Sequence, residues 1–330
     1  MSRRIWVLAA GVAGLAGVWA VSRSPGAPAR FVVPEGATLG EVADTLGARG
    51  IVRGRSLFEL YARVRRADRS IKAGQYEMPM ASPWEAVVRA LTRGDVLTEP
   101  MTIPEGFTLA QIAPRIAEVS GVPTDSVSAL LQAPDLAAAL GVPGPGLEGY
   151  LFPDTYLFAR GVPARSIVAA MVERYREVWT PERRARLDSL DMTEAEILTL
   201  ASIVQAEARR AEEMPRIAGV YHNRLELGWL LQADPTVLYA LGGYRERLLF
   251  AAIDSVADHP YNTYAFAGLP PGPIGSPGEA AIEAALHPVD DYLYFVAWPD
   301  GTHVFTRSLA EHNQAVDAAR QARRSDGADD

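Results

Sequence analysis

The chain has 330 residues, 48% hydrophobic and 22% charged, an ordinary globular composition with length enough for about two domains. Its net charge of −8 excludes a protein whose main task is to hold nucleic acid, because phosphate binding needs a basic surface. Cysteine is absent, which excludes disulfides and thiolate metal sites.

Arg3 and Arg4 precede an uncharged run from Ile5 to Val21, and a stretch rich in Pro, Gly and Ser follows as far as Arg30. The run lies within the ~17–25 residues of a membrane helix, and flanking arginines stay on the cytoplasmic side. Residues 1–30 are therefore expected to form a single-pass anchor and linker, with the rest of the chain outside the cytoplasmic membrane. A cleaved signal peptide is the alternative, with Ala27-Pro28-Ala29 as its small-x-small site.

The next feature is an internal echo. Val33-Pro34-Glu35-Gly36-Ala37-Thr38-Leu39 returns as Ile103-Pro104-Glu105-Gly106-Phe107-Thr108-Leu109. Each copy predicts a strand, a Pro-Glu-Gly turn and a helix capped by its threonine. This opening resembles LysM modules, small sugar-binding units of cell-wall proteins; the plainer reading is common turn-and-cap grammar. A strand is predicted at Ile71–Tyr76 and a helix from Pro83 to Leu91, completing a LysM-like unit over 31–98. Helical patterns dominate from Ser166 to Gly228. Tyr292–Ala297 and His303–Thr306 read as a hairpin turning at Pro299-Asp300-Gly301. The polar end, 319–330, reads as a disordered tail. The predicted class is α+β, with a mixed helical and antiparallel-sheet domain over 99–318.

The most informative helix starts at Thr193, which makes a capping box with Glu196. Ile197, Leu200, Ala201, Val204 and Ala208 follow helical spacing, and on the wheel Glu207 falls beside Leu200. A carboxyl on an apolar stripe is either ion-paired, with Arg216 or Arg224 as partners, or it lines a cleft where desolvation keeps it protonated. In a cleft such a group can protonate a glycosidic oxygen.

Ala201-Ser202-Ile203-Val204-Gln205-Ala206-Glu207, with His222-Asn223-Arg224-Leu225, resembles the signature of the endolytic murein transglycosylases, the MltG or YceG-like family. Further matches follow in order at Leu231–Val237, Tyr261–Tyr264, Gly268–Ile274, Ala285–Pro288 and Tyr292–Ala297, with Lys72–Tyr76 and Glu148–Tyr156 upstream. The resemblance implies an inner-membrane enzyme that cuts nascent peptidoglycan strands between N-acetylmuramic acid and N-acetylglucosamine. A 1,6-anhydro end is the product, and Glu207 is the acid and then the base. The implied partners are glycan strands, the membrane through the N-terminal helix, and cell-wall synthases. Many relatives carry Glu where this chain has Gln205.

Gln232, Asp234, Thr236, Asn262 and Tyr264 are the candidates for a polar, substrate-binding lining. Asp234 is also the nearby acid that could serve as a second carboxylate in a hydrolysing muramidase; Asp-Pro turn chemistry is its plainer role. The proline-rich Leu269–Ile274 segment reads as a rigid cleft wall. No cofactor or metal is expected, because the five histidines lack His-Glu-x-x-His spacing and no phosphate-binding glycine loop or Gly-x-Ser-x-Gly elbow occurs. A non-catalytic wall-binding scaffold, with Glu207 ion-paired in the core, is the remaining alternative.

Overall fold

The computed structural model describes residues 26–144, 146–243 and 250–326. The expected anchor at Ile5–Val21 lies outside them. Among the described residues no helix is long and apolar enough to cross a membrane. Two compact units are present: the chain up to Pro100 with Leu157–Val162, and Met101–Tyr156 with the chain from Pro163 onward. The predicted boundary after residue 98 falls two residues short of Pro100. The return of Leu157–Val162 to the first unit was not foreseen, since it comes with the pairing of strand Thr155–Ala159 to strand Thr98–Thr102, far apart in the chain, with Arg160 meeting Glu99 beside them.

In the first unit, strand Pro28–Val33 pairs antiparallel with Gly74–Pro79, setting Phe31 opposite Tyr76. Their rings stack at 5.3 Å, a cross-strand contact of the kind that fixes register. Helices Leu39–Ala48 and Arg55–Val64 lie between the strands in sequence. Thr38 and Glu41 exchange the two bonds of a capping box. Val42, Leu46, Ile51, Phe58 and Leu91 close the core against Phe31 and Tyr76. The second strand starts at Gly74 rather than Ile71, because the Lys72 amide donates to the Leu91 carbonyl instead of joining the ladder. The predicted helix near 83–91 runs from Trp84 to Arg93.

The second unit is built round the helix Glu194–Glu207. Thr193 caps it and Glu196 answers at 2.8 Å. The wheel predicts one buried face; the structure buries every residue from Ile197 to Val204. The helix is therefore a central rod rather than a surface helix, as an element apolar on every side must be. Helices Met214–Glu226, Asp234–Ala240 and Glu279–Leu286 pack round it. Small side chains at Thr199, Ala201 and Ser202 give them room. The proline-rich segment, irregular as predicted, is pinned to the rod: Ser202 Oγ accepts from the Ile274 amide and Gln205 Oε1 from the Gly278 amide, both at 3.0 Å. Gln205 thus works as an acceptor, a role a glutamate would fill as well.

Tyr294–Ala297 and His303–Thr306 form the antiparallel hairpin, with Tyr294 opposite Thr306. The tail prediction needs correcting as far as Asp326, since a helix runs from Leu309 to Asp326, and 327–330 lie outside the described residues. Ser308 and Glu311 cap its start reciprocally, Ala319 is buried, and Arg323 donates to the Ala297 carbonyl. The polar composition concealed a run of good helix formers anchored along one side. The result is an α+β molecule.

Gly219, in the middle of Met214–Glu226, faces the Val289 carbonyl, and an added Cβ would overlap that oxygen. Helix propensity alone favours Gly219→Ala by ~1 kcal/mol. The backbone contact predicts the opposite sign, a lowered melting temperature for folded Gly219→Ala in a thermal scan. A higher melting temperature would show that Val289 yields freely.

Candidate active site

Glu207 is the last residue of the central helix and keeps a partly exposed edge, next to exposed Ala206. Tyr221, on the following helix and almost wholly buried, donates its hydroxyl to Glu207 Oε1 at 3.0 Å. Burial pushes the Glu207 carboxyl up to about 7; Tyr221 opposes the shift, the charge of Asp234 adds to it, and that of Arg224 opposes it. The C-terminal end of a helix dipole also disfavours a negative charge there. Burial raises the Tyr221 phenol far above its usual range, so it stays a donor.

The ion-pair alternative is not formed. Arg216 pairs with Asp290 at 3.0 Å. Arg224 is buried and spends its guanidinium on two carbonyls, Leu293 at 2.9 Å and Leu231 at 2.6 Å. Its charge reaches Glu207 without a contact. Among the described residues no cation pairs directly with Glu207.

The candidate lining divides in two. Asp234 is exposed and accepts the hydroxyl of half-buried Tyr264. Gln232 is exposed too, with a left-handed φ of +51° and its amide bonded to the Thr263 carbonyl. Such a backbone in a non-glycine residue stores strain and needs support on both sides. Thr236 and Asn262 require correction. Thr236 is fully buried, bonded to the Ala233 carbonyl and Thr263 Oγ1. Asn262 is 1% exposed, with its amide on the Ile253 and Val256 carbonyls and its oxygen on the Tyr264 amide. Both hold the loop that presents Tyr264, and neither has a free group for a substrate.

The two histidines nearest the chain end do not meet. Nearly buried His303 bonds Glu213 at 2.8 Å, while His312 stacks on Tyr294 at 5.2 Å.

Comparison with known proteins now decides the family. Residues 31–318 match the YceG-like family. This chain belongs to it. An endolytic murein transglycosylase of Bacillus subtilis is 34% identical over 303 residues, covering 86% of this chain and 82% of that one. One from Streptococcus pneumoniae serotype 2 is 32% identical over 315 residues, and the match spans only 57% of its length. A crystal structure of a YceG-like protein from Listeria monocytogenes is 32% identical with a TM-score of 0.60, covering 87% of this chain and 98% of that one.

Two perturbed side chains of the second unit escaped sequence reasoning. Tyr221 is one. Glu148 is the other, a partly buried carboxyl that takes the Leu109 amide and the Tyr239 hydroxyl, each at 3.1 Å. Burial outweighs those donors and pushes it, too, up to about 7. A single acid between Leu147 and the apolar Tyr150-Leu151-Phe152 was the available signal.

Replacing Tyr221 with Phe removes a donor that favours the carboxylate, so Glu207 should titrate higher than in the parent protein, as read by carbon-detected NMR. An unchanged or lower value would mean that the phenol does not reach the carboxyl. Glu207 also makes folding pH-dependent. Its stabilising contribution is complete below about 4.5, where the unfolded and folded forms are both protonated, and is lost as pH rises to the folded value of about 7. Denaturant titrations of Glu207→Gln across that window should show a shallower loss than the parent.

Proposed function

We propose that this protein is an endolytic lytic transglycosylase that cuts peptidoglycan glycan strands, with Glu207 as acid and then base. Its relatives in Bacillus subtilis and Streptococcus pneumoniae bear the name endolytic murein transglycosylase. The observation that carries the reading is a half-buried glutamate at the end of the central helix, without an arginine partner among the described residues, whose carboxyl burial pushes up to about 7. Such a group bears its proton near neutrality yet can release it.

In the reaction Glu207 gives its proton to the N-acetylglucosamine O4 as the bond from that oxygen to muramic C1 breaks. The muramic O6 then bonds to C1 and its hydroxyl proton passes to the Glu207 carboxylate. No water is consumed, the 1,6-anhydro ring closes and Glu207 ends protonated, as it began. Tyr221 suits the second half of this cycle, because its hydroxyl bond favours the carboxylate that must exist between the two transfers. Asp234, tied to Tyr264 on the open side, positions substrate; its charge also works against early ionisation of Glu207.

The first unit supports a glycan-binding reading of the LysM-like region at 31–98. Its Pro34-Glu35-Gly36 turn, with Val32, Glu41 and Thr45, lines a cavity of about 380 Å³. The catalytic region is assigned to 99–318. An anchor at Ile5–Val21 would hold the enzyme at the outer face of the cytoplasmic membrane, beside the synthases that make its strands.

Glu207→Gln should fold, bind glycan strands and lose cleavage by more than the ~10²–10⁴-fold typical of one acid–base group, since one residue serves both steps. Mass spectrometry of parent products should find anhydro ends, one water lighter than reducing ends. Asp234→Asn should give the same products more slowly. Reducing ends together with an inactive Asp234→Asn would make a two-carboxylate hydrolase the better reading, and wild-type cutting by Glu207→Gln would remove Glu207 from the chemistry.

A further inference from the structure

The helix Met214–Glu226 stops at Leu227, and Gly228, with a left-handed φ of +66°, turns the chain so that Trp229 follows at once. The Trp229 amide donates to the Arg224 carbonyl at 2.8 Å, which fixes the turn through backbone alone. The indole remains 40% exposed, with its ring 6.1 Å from that of Tyr294. Tyr294 is backed on one side by His312, stacked at 25°, and by the Arg224 guanidinium 5.5 Å from its ring centroid. An isolated apolar residue at a surface needs no explanation. This one differs in having a rigid aromatic support and in its position. The same loop continues to Gln232 and Asp234, wraps Arg224 through the Leu231 carbonyl, and so borders the side chain whose charge is felt at Glu207. Five residues of chain keep the Cα atoms of Trp229 and Asp234 within ~18 Å, a span that a few linked sugar rings can cover.

We propose that Trp229, supported by Tyr294, is a saccharide-stacking subsite that receives the apolar face of an N-acetylhexosamine ring, some way along the strand from the bond being cut. This rests on the glycan-cleaving reading above. The chemistry fits an uncharged sugar. One face of a pyranose presents C–H groups, slightly positive at hydrogen, which suit the negative face of an indole. Arg224, the cation behind the platform, is buried and committed to the two carbonyls, so the surface on offer is aromatic rather than charged. A stem-peptide carboxylate would find less there than a sugar ring does. Preformed backing also means that little side-chain freedom is lost on binding.

The test uses the full chain and β-1,4-linked N-acetylglucosamine oligomers as probe, with Glu207→Gln present so that nothing is cut. Calorimetry should show that adding Trp229→Ala weakens oligomer binding about tenfold, the scale of losing one ring-on-ring stack, while Trp229→Phe keeps most of it. With Glu207 intact, Trp229→Ala should place its loss on KM for purified glycan strands rather than on kcat, and leave the Glu207 titration where it was. Oligomer binding unchanged by Trp229→Ala overturns the subsite. So does a loss that Phe does not restore and that comes with a lowered melting temperature, which marks a packing role. If the parent cuts no strands yet binds oligomers through Trp229, the activity reading fails and the subsite stands.

Discussion

Glu207 ends a helix that is buried all round from Ile197 to Val204, and both circumstances act on its proton in the same direction. Burial removes the water that would solvate a carboxylate, and the helix terminus adds partial negative charge from its unpaired carbonyls. The second unit depends on tolerating this. Had Arg224 turned its guanidinium to the carboxyl, the charge would have been neutralised and the proton lost at neutrality. The structure instead ties Arg224 to the Leu231 and Leu293 carbonyls. Its charge is then near enough to moderate Glu207 and too far to capture it.

The same economy governs the polar groups along the central rod. Ser202 and Gln205 do no proton chemistry; they accept from the Ile274 and Gly278 amides and so hold the proline-rich segment in place. That segment has few ladder bonds of its own, and prolines lack the amide to make them. Its shape is borrowed from the helix that carries Glu207. A change in how the rod sits would move the acid and the segment together, which keeps their relation constant.

Local patterns were legible in the sequence and crossings were not. The Thr193–Glu196 box, the Thr38–Glu41 box and the 294–306 hairpin are written within a few residues of chain, so spacing alone reveals them. Glu207 was visible because an acid interrupts an apolar helix. Tyr221 could not be, since its bond to Glu207 depends on how two helices cross, 14 residues apart in the chain. Thr236 and Asn262 misled for a related reason. They share motifs with Asp234 and Tyr264, yet neighbours on a turn point in different directions, and these two point inward. The all-round burial of the rod was equally hidden, because Thr199 and Ser202 look polar in sequence while their hydroxyls are spent on the Ala195 and Thr199 carbonyls and on the Ile274 amide.

The internal echo shows how one local pattern can serve two purposes. At both copies the threonine caps a helix, with Glu41 and Gln111 reaching back to the threonine amides at 2.7 and 2.9 Å. In the first copy the Pro-Glu-Gly turn stays at the surface and borders a cavity. In the second, the turn is equally exposed, but it is bonded to the segment around Ser276. Gly106 donates to the Ser276 carbonyl at 2.7 Å, Ser276 returns to the Phe107 carbonyl at 2.8 Å, and Glu148 takes the Leu109 amide of the helix that follows. The second copy thus links the segment around Ser276 to Glu148, and through it to Tyr239 on the helix that begins at Asp234. Repetition of the motif in sequence carries the fold of each opening, while the partners of the turn differ between the two.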